Sequence, residues 1–283
     1  MHKFVYHEPR SIKETCRLLQ DYGSEAKLLA GGTDLLVKFR NEVLTPQQVV
    51  NIKKIPGLKD VLLKKDGLHI GAAATMNDVE KVLSGLPAYR VLAEALHCVA
   101  SCQIRNRATV VGNLCNASPA ADSVPALAVL DAVVEIAGPG AFRLIAAADF
   151  CAAPGKTVLQ PGEWVTGLKI PAVPSDAAGT YLKHSRRRMV DLATVGVALF
   201  QAGSTLRIAL GAVAATVVRA KAAEELLQAE GMHEDSFIKA ARLTAQSVAP
   251  ITDIRASREY RLHIVEVLTL RGLRLLHGGA QTC

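Results

Sequence analysis

The chain has 283 residues, of which half are hydrophobic and 21% are charged. This length is enough for about two domains of roughly 100–200 residues each, and the composition excludes a disordered tail and a disulfide-stapled miniprotein. Lys and Arg outnumber Asp and Glu by 33 to 26, giving a net charge of +7 that is compatible with an acidic ligand or partner. The few aromatic residues are scattered, so we expect no nucleic-acid partner.

The cysteine and hydropathy patterns indicate the compartment. The six cysteines are spread along the chain without a CxxC pair, which predicts reduced thiols rather than a disulfide framework. The longest apolar runs are much shorter than the ~20 residues that span a bilayer. No apolar secretory stretch follows Met1. We therefore predict a cytoplasmic protein without membrane insertion.

Helices and short strands alternate in the first 170 residues. Apolar residues at helical spacing after a capping residue predict helices from Ser11 to Leu19, from Thr33 to Phe39, over residues 78–83 with Asn77 as cap, and over residues 88–99. Short apolar runs predict strands over residues 27–30, 61–63, 68–71, 133–136, 143–145 and 165–170, with Asp66-Gly67 as a hairpin turn.

The character of the sequence changes after residues 171–179, where two prolines and a glycine favour a linker. Predicted strands over residues 180–184, 194–200 and 206–213 come first. Predicted helices over residues 219–230, 234–248 and 257–277 follow. Strands followed by helices are typical of an α+β domain.

The first candidate binding segment is the run Leu28-Leu29-Ala30-Gly31-Gly32-Thr33-Asp34-Leu35. A strand leads into two glycines and then into a helix start, where free N–H groups and the helix dipole suit a phosphate or diphosphate. The alternative is a tight strand-to-helix turn without a ligand. No GxGxxG or GxxxxGK[ST] pattern occurs, which excludes a Rossmann loop and a P-loop.

The second candidate segment covers residues 103–123 and is dominated by small and polar residues. We predict a long loop without regular structure. Such loops in compact domains usually bind something, and an Ω-loop packed on its own side chains is the alternative. Its serines have no GxSxG context, so a hydrolase is excluded.

Together the two segments resemble the FAD-binding medium subunits of the molybdenum hydroxylase family, which includes xanthine dehydrogenase and aerobic carbon monoxide dehydrogenase. The family pattern AGGTDLL matches residues 30–36, and IRNxATxGGNxxNASPAADxxPxLxAL matches residues 104–113 and 116–130. Further blocks match at residues 181–188, 209–213 and 257–261. The resemblance therefore covers essentially the whole chain.

The resemblance implies an α+β fold with two domains. Residues 1–175 would form a two-lobed, PCMH-like FAD-binding domain whose lobes divide near residues 55–60. Residues 178–283 would form a smaller α+β domain, with an antiparallel sheet and a helical bundle, that covers the flavin.

The resemblance also implies which residues contact FAD. Residues 28–35 and 109–113 would enclose the diphosphate, Asp122 would accept hydrogen bonds from FAD hydroxyls, and Lys183 would reach the flavin from the second domain. Val99, with one of Val165 and Leu168, would lie against the isoalloxazine ring. The complete predicted set is Leu28, Leu29, Ala30, Gly31, Gly32, Thr33, Asp34, Leu35, Val99, Thr109, Val110, Val111, Gly112, Asn113, Ser118, Asp122, Val165, Leu168 and Lys183.

The implied function is electron transfer within a larger enzyme. A molybdenum cofactor on a large subunit would hydroxylate a small substrate, and two 2Fe–2S clusters on a small subunit would deliver electrons to FAD in this chain. An external acceptor such as NAD would then receive them. We expect no catalytic acid–base residue and no metal ligand here. Cys98 and Cys102 are interpreted as buried apolar thiols, because a metal site needs four organised ligands.

Two features keep alternatives open. Val111 occupies the first of two paired glycines of the family pattern, and a β-branched residue would cost roughly 1–3 kcal/mol if that position required positive φ or contact of the backbone with phosphate. A structural adapter with weak or no flavin binding is therefore one alternative, and a stand-alone flavoprotein oxidase is another. Arg186, Arg187 and Arg188 are interpreted as a solvated edge or a protein contact.

Overall fold

The computed structural model describes residues 2–188 and 190–278, so Met1, Met189 and residues 279–283, including Cys283, lie outside the described residues. The helices are α1 (Ile12–Tyr22), α2 (Leu35–Arg40), α3 (Met76–Leu83), α4 (Arg90–His97), α5 (Cys102–Arg105), α6 (Val110–Cys115), α7 (Ser123–Val129), α8 (Lys221–Glu230), α9 (Glu234–Gln246) and α10 (Arg258–Leu276). The strands are β1 (Val5–His7), β2 (Ala26–Leu29), β3 (Gln48–Asn51), β4 (Val61–Lys64), β5 (Gly67–Gly71), β6 (Val133–Gly138), β7 (Ala141–Ala146), β8 (Cys151–Ala153), β9 (Lys156–Thr157), β10 (Trp164–Pro171), β11 (Ala178–His184), β12 (Val195–Ala202), β13 (Thr205–Gly211) and β14 (Val218–Arg219).

A small parallel sheet with strand order β1–β3–β2 begins the chain. Helix α1 packs against it and starts where the Ser11 hydroxyl accepts a hydrogen bond from the backbone N–H of Glu14, at 3.1 Å. Strand β2 ends at Leu29, so the Gly-Gly turn leaves the carboxyl end of a parallel strand. Ligands of parallel sheets commonly bind at that edge.

A five-stranded antiparallel sheet with order β4–β5–β10–β6–β7 forms the second layer. Strand β10 lies at its centre, and its Trp164 and Leu168 side chains are fully buried. Helix α6 packs on β10, and α4 and α7 pack on each other within the same core. The two candidate binding segments are thereby held by separate layers of one hydrophobic core.

The C-terminal sheet, with order β11–β12–β13–β14, is antiparallel and is covered by α8, α9 and α10. Strand β12 is buried on both faces because its alternating side chains belong to different cores. Val197 and Leu199 pack under the three helices, whereas Ala198 and Phe200 pack against the N-terminal core. The predicted α+β class, C-terminal antiparallel sheet and C-terminal helices are confirmed.

Polar contacts also join the two parts of the chain. Glu94 on α4 accepts hydrogen bonds from the Thr180 hydroxyl at 2.9 Å and the Tyr181 backbone N–H at 2.8 Å. Arg207 and Arg219 donate to the last carbonyls of α7, and both form ion pairs with Asp131.

Within the part of the chain that the structure describes, none of the helices has the length and apolar character that crossing a bilayer requires.

Several local predictions are corrected. Helix α3 is capped by Thr75 rather than Asn77, because the Thr75 hydroxyl and the Asp78 carboxylate form a reciprocal capping box. Strands β1 and β3 were not predicted. The partly exposed β1 segment has no clear alternation of apolar and polar residues. Cys102 is exposed and Cys98 is only partly buried, so neither is a fully buried thiol.

The second candidate segment is not a structureless loop. It contains α5, α6 and the start of α7, and the first two are nucleated by hydroxyl caps. Ser101 accepts from the N–H of Ile104, and Thr109 accepts from the N–H of Gly112 at 3.0 Å. These helices are too short for an apolar period to be visible in the sequence.

Candidate cofactor-binding site

A cavity of about 810 Å³ lies where the two candidate segments meet the C-terminal part. Its volume falls in the range of small-molecule and cofactor sites. Most of the predicted residues line it: Leu28, Ala30, Gly31, Gly32, Thr33, Asp34, Leu35, Val99, Thr109, Val111, Gly112, Asn113, Ser118, Asp122 and Val165. The structure thus brings together predicted residues that lie as far apart in the sequence as Leu28 and Val165.

Four predicted residues lie behind the wall rather than on it. Leu29 and Val110 are adjacent in sequence to lining residues but are not on the cavity surface. Leu168, three residues after Val165, is also off that surface, and Val110 and Leu168 are completely buried. In a strand or helix, neighbouring side chains point in different directions, so a continuous run of residues cannot all face one ligand. Lys183 also lies off the wall, where it contacts Asp122.

The first wall of the cavity is the Gly31-Gly32 turn. A Cβ on Gly31 would overlap the carbonyl oxygen of Arg107, so the glycine permits the two candidate segments to touch. Gly32 has φ +80°, the left-handed conformation that glycine adopts without strain. No group among the described residues accepts a hydrogen bond from the backbone N–H of Gly32, Thr33 or Asp34. These donors are therefore available to a ligand.

The second wall is the start of α6. Thr109 caps this helix, and the backbone N–H of Val111 has no acceptor among the residues described. Val111 lies within α6 and has a right-handed helical backbone, so a valine there carries no φ strain. This removes the positive-φ reason for doubting flavin binding at this position. Two helix starts, those of α2 and α6, present free N–H groups to one cavity.

A buried ion pair lies between the two parts of the chain beside the cavity. The Asp122 carboxylate accepts hydrogen bonds from the Lys183 Nζ and the Tyr181 hydroxyl, each at 2.8 Å. Lys183 also donates to the Cys98 carbonyl at 3.0 Å. Burial raises the pKa of Asp122, against the opposing effect of the Lys183 ammonium. Burial and the neighbouring carboxylate raise the pKa of Tyr181 well above its usual value.

Two lysines near the cavity, Lys38 and Lys53, were not predicted. Lys38 lines it and donates to the Asn116 side chain at 2.8 Å. Lys53 donates to the Ala30 carbonyl at 3.2 Å, and burial, together with nearby Arg107, lowers the pKa of Lys53. Lys38 follows Asp34 by about one helical turn. Helical spacing after the Gly-Gly turn therefore places Lys38 on the same side of the predicted helix as Asp34.

The C-terminal part closes the cavity with two further segments that sequence reasoning did not assign to the site. The first carries Arg186, Arg187 and Leu192 after β11, and the second carries Ile254 and Arg255 before α10. Ile254 is 89% exposed although it lines the cavity. The described residues of both segments lack regular structure, which is why no periodic signal marks them.

The free N–H groups, the adjacent lysines and the apolar side chains of the cavity suit an anionic cofactor that also has an apolar part. Comparison with known proteins identifies the family. Residues 2–173 match the family described as FAD binding domain in molybdopterin dehydrogenase, and residues 180–276 match the CO dehydrogenase flavoprotein C-terminal domain.

Individual relatives match over nearly their whole length. The chain is 34% identical over 274 residues to a putative xanthine dehydrogenase FAD-binding subunit of Escherichia coli, covering 93% of this chain and 92% of that protein. It is 31% identical over 280 residues to the carbon monoxide dehydrogenase medium chain of Hydrogenophaga pseudoflava, covering 96% of each. A crystal structure of a Cu,Mo-CO dehydrogenase in its cyanide-inactivated form matches with a TM-score of 0.90 at 29% identity, covering 96% of this chain and 97% of that one.

The chain belongs to the FAD-binding medium subunits of the molybdenum hydroxylase family, and it is an oxidoreductase subunit with an FAD-binding domain. The recognition made from the sequence motifs is confirmed. The cavity fits FAD chemically, because unpartnered N–H groups suit a diphosphate and buried Asp122 can accept from hydroxyl groups. Val99 and Val165 are apolar residues that line the cavity.

Proposed function

We propose that this chain carries electrons through FAD in a heteromeric molybdenum hydroxylase. A small subunit with two 2Fe–2S clusters would deliver them, after a large subunit with the molybdenum cofactor has hydroxylated the substrate. An external acceptor such as NAD would receive them. Bound FAD supplies the redox chemistry, and the chain supplies its position and surroundings. The observation that carries the proposal is the pair of helix starts whose free N–H groups face one cavity.

The division of labour between residues follows the cavity walls. Residues 28–35 and 109–113 would hold the diphosphate through backbone N–H groups, with Lys38 adding positive charge. Asp122 and Ser118 would bind hydroxyl groups of the cofactor. Lys183 would act mainly through Asp122, because its ammonium holds that carboxylate in place.

The ring contacts and the domain roles are also part of the proposal. Val99 and Val165, which line the cavity, would lie against the isoalloxazine ring, whereas Leu168 would support Val165 from behind. Residues 1–175 would form the FAD-binding domain, and residues 178–283 would cover the flavin. We also place the protein in the cytoplasm.

The partner subunits are proposed from the relatives. The printed names of the matching proteins include medium chains of carbon monoxide dehydrogenase and of glyceraldehyde dehydrogenase, and the medium subunit of nicotine 6-hydroxylase. A medium chain implies a larger and a smaller companion. Each of those matches includes 96% or more of this chain, so the similarity to these medium chains extends over nearly its whole length.

The first experiment is an absorption spectrum of the purified full chain, followed by heat release and chromatography of the cofactor. Flavin bands near one equivalent per chain, released as FAD and not FMN, would support the proposal. A chain that stays colourless after addition of FAD, both alone and with its partner subunits, would refute it and would favour a structural adapter.

The electron acceptor needs a separate measurement on the complete complex. We would reduce the purified complex chemically without oxygen and follow the flavin absorbance after mixing with NAD, a quinone or oxygen. Reoxidation by NAD with formation of NADH would support NAD as acceptor. Reoxidation by a quinone or oxygen alone would reject NAD while leaving flavin binding intact.

A further inference from the structure

Arg261, the fourth residue of α10, is a buried cation that binds three separate segments of the chain. Its Nη1 donates to the carbonyl of Thr194 at 2.6 Å and to that of Ala212 at 3.0 Å. Its Nη2 donates to the Asp253 carboxylate at 2.7 Å. The side chain is only 4% exposed, yet it does not line the cavity.

Each of the three acceptors is directly connected to a cavity wall. Thr194 closes the segment that carries Arg187 and Leu192, because its N–H donates to the His184 carbonyl at 2.8 Å. Asp253 immediately precedes Ile254 and Arg255.

The third acceptor reaches across to the N-terminal part. The backbone N–H of Ala212 donates to the Pro119 carbonyl at 2.7 Å, and Pro119 follows cavity-lining Ser118. Ala212 has φ +64°, an unusual conformation for alanine that the neighbouring contacts must hold. A single guanidinium therefore fixes the relative positions of three wall segments.

This arrangement is a costly way to stabilise a fold. A guanidinium has five donors, and the Nε of Arg261 has no hydrogen-bond partner among the residues described. A buried ion pair is weak evidence for stability, since desolvation offsets most of the attraction, but it specifies geometry. The planar, fixed fork of arginine can hold three acceptors in defined directions, which the single ammonium of lysine cannot.

We propose that Arg261 is a positioning residue of the flavin site, which sets FAD affinity and the surroundings of the ring by holding the segments at Thr194, Ala212 and Asp253 in register. The proposal rests on FAD binding by this chain. Asp253 is suited to its part because it also accepts from the backbone N–H groups of Arg255, at 2.8 Å, and Ala256, at 3.2 Å. Asp253 thereby links the position of Arg261 to the cavity-lining segment that carries Ile254 and Arg255.

The test compares Arg261→Lys and Asp253→Asn with a matched control, Arg219→Lys. Arg219 also joins segments, through Glu224, Asp131 and the Ala128 carbonyl, but none of these residues lines the cavity. Apoprotein of the full chain would be titrated with FAD by flavin fluorescence. The thermal midpoint of each apoprotein and the visible circular dichroism of each bound flavin would be measured alongside.

We expect Arg261→Lys to raise the FAD dissociation constant by about tenfold, and Arg219→Lys to change it by less than about twofold at a similar loss of apoprotein thermal stability. The dichroism of bound flavin should change only in the Arg261 and Asp253 variants. Equal affinity in wild type and Arg261→Lys, or equal losses in both arginine variants, would overturn the proposal. If Arg261→Lys does not fold, Asp253→Asn decides by the same criteria. A wild-type chain that binds no FAD would instead overturn the proposed function.

Discussion

Replacing Gly31 with alanine tests the contact between the two binding segments. The new Cβ would overlap the Arg107 carbonyl oxygen and lie 2.9 Å from its carbonyl carbon and 3.0 Å from the Ala108 Cα. All three are backbone atoms, so no side chain can rotate away, and one segment must shift. Overpacking of this kind costs about 1–3 kcal/mol.

The cost should fall mainly on cofactor binding. We expect the apoprotein variant to relieve the overlap by a shift of the Gly-Gly turn away from residues 107 and 108, whereas the proposed FAD site needs both walls in place. If the whole 1–3 kcal/mol appears in binding, the FAD dissociation constant rises by roughly 5–150-fold. The control is Gly85→Ala, whose Cβ would have its nearest neighbour at 3.9 Å. Fluorescence titration of both apoproteins measures the effect. Wild-type affinity in Gly31→Ala would show that the two walls do not bind FAD jointly.

Three further predictions concern the ion pair, the Asp253 loop and Val111. Lys183→Met leaves Asp122 buried without its cation, so the free energy of unfolding in urea should fall by about 3–5 kcal/mol. Lys239→Met breaks an exposed pair and should lower the free energy of unfolding far less; equal losses in the two variants would contradict this. The backbone N–H of Arg255 and the Arg261 guanidinium lower the pKa of Asp253 to about 2. The pKa of aspartate in an unfolded chain is about 3.9. The stabilisation that ionised Asp253 gives the folded state is therefore present above that pH and is lost as the pH falls towards about 2. Asp253→Asn should therefore weaken the pH dependence of the free energy of unfolding between about pH 4 and 2. An unchanged pH dependence in this range would refute the assignment. Val111→Gly should lower apoprotein stability by on the order of 2–4 kcal/mol without tightening FAD binding, since helix and core both favour valine; markedly tighter binding would show that the side chain obstructs the cofactor.

The sequence was sufficient where a local signal coincided with a structural requirement. The Gly-Gly turn and the hairpin of β4 and β5 were predicted from their glycines, although the hairpin turn is formed by Lys65 and Asp66, and Gly67, with φ +130°, begins β5. The C-terminal helices were predicted because their apolar spacing extends over several turns.

Other features depend on contacts that no local pattern encodes. Helices α5 and α6 are shorter than two turns, so hydroxyl caps and packing form them rather than periodicity. Lys183 was expected at the flavin, yet its partner Asp122 lies 61 residues away in sequence. The walls at Arg187 and Ile254 belong to irregular segments, whose place depends on the position of the C-terminal sheet.

The double burial of β12 limits how FAD can enter and leave. Swinging the C-terminal sheet away would expose Phe200 and its neighbours on the N-terminal core, at about 1.5–3 kcal/mol for each large side chain. Loosening the short segments around Arg187 and Ile254 exposes far less apolar surface. Cofactor exchange should therefore occur by local opening of these segments while the two cores stay packed together. Its rate would then respond to changes in the two loops and remain insensitive to mild destabilisation of the sheet.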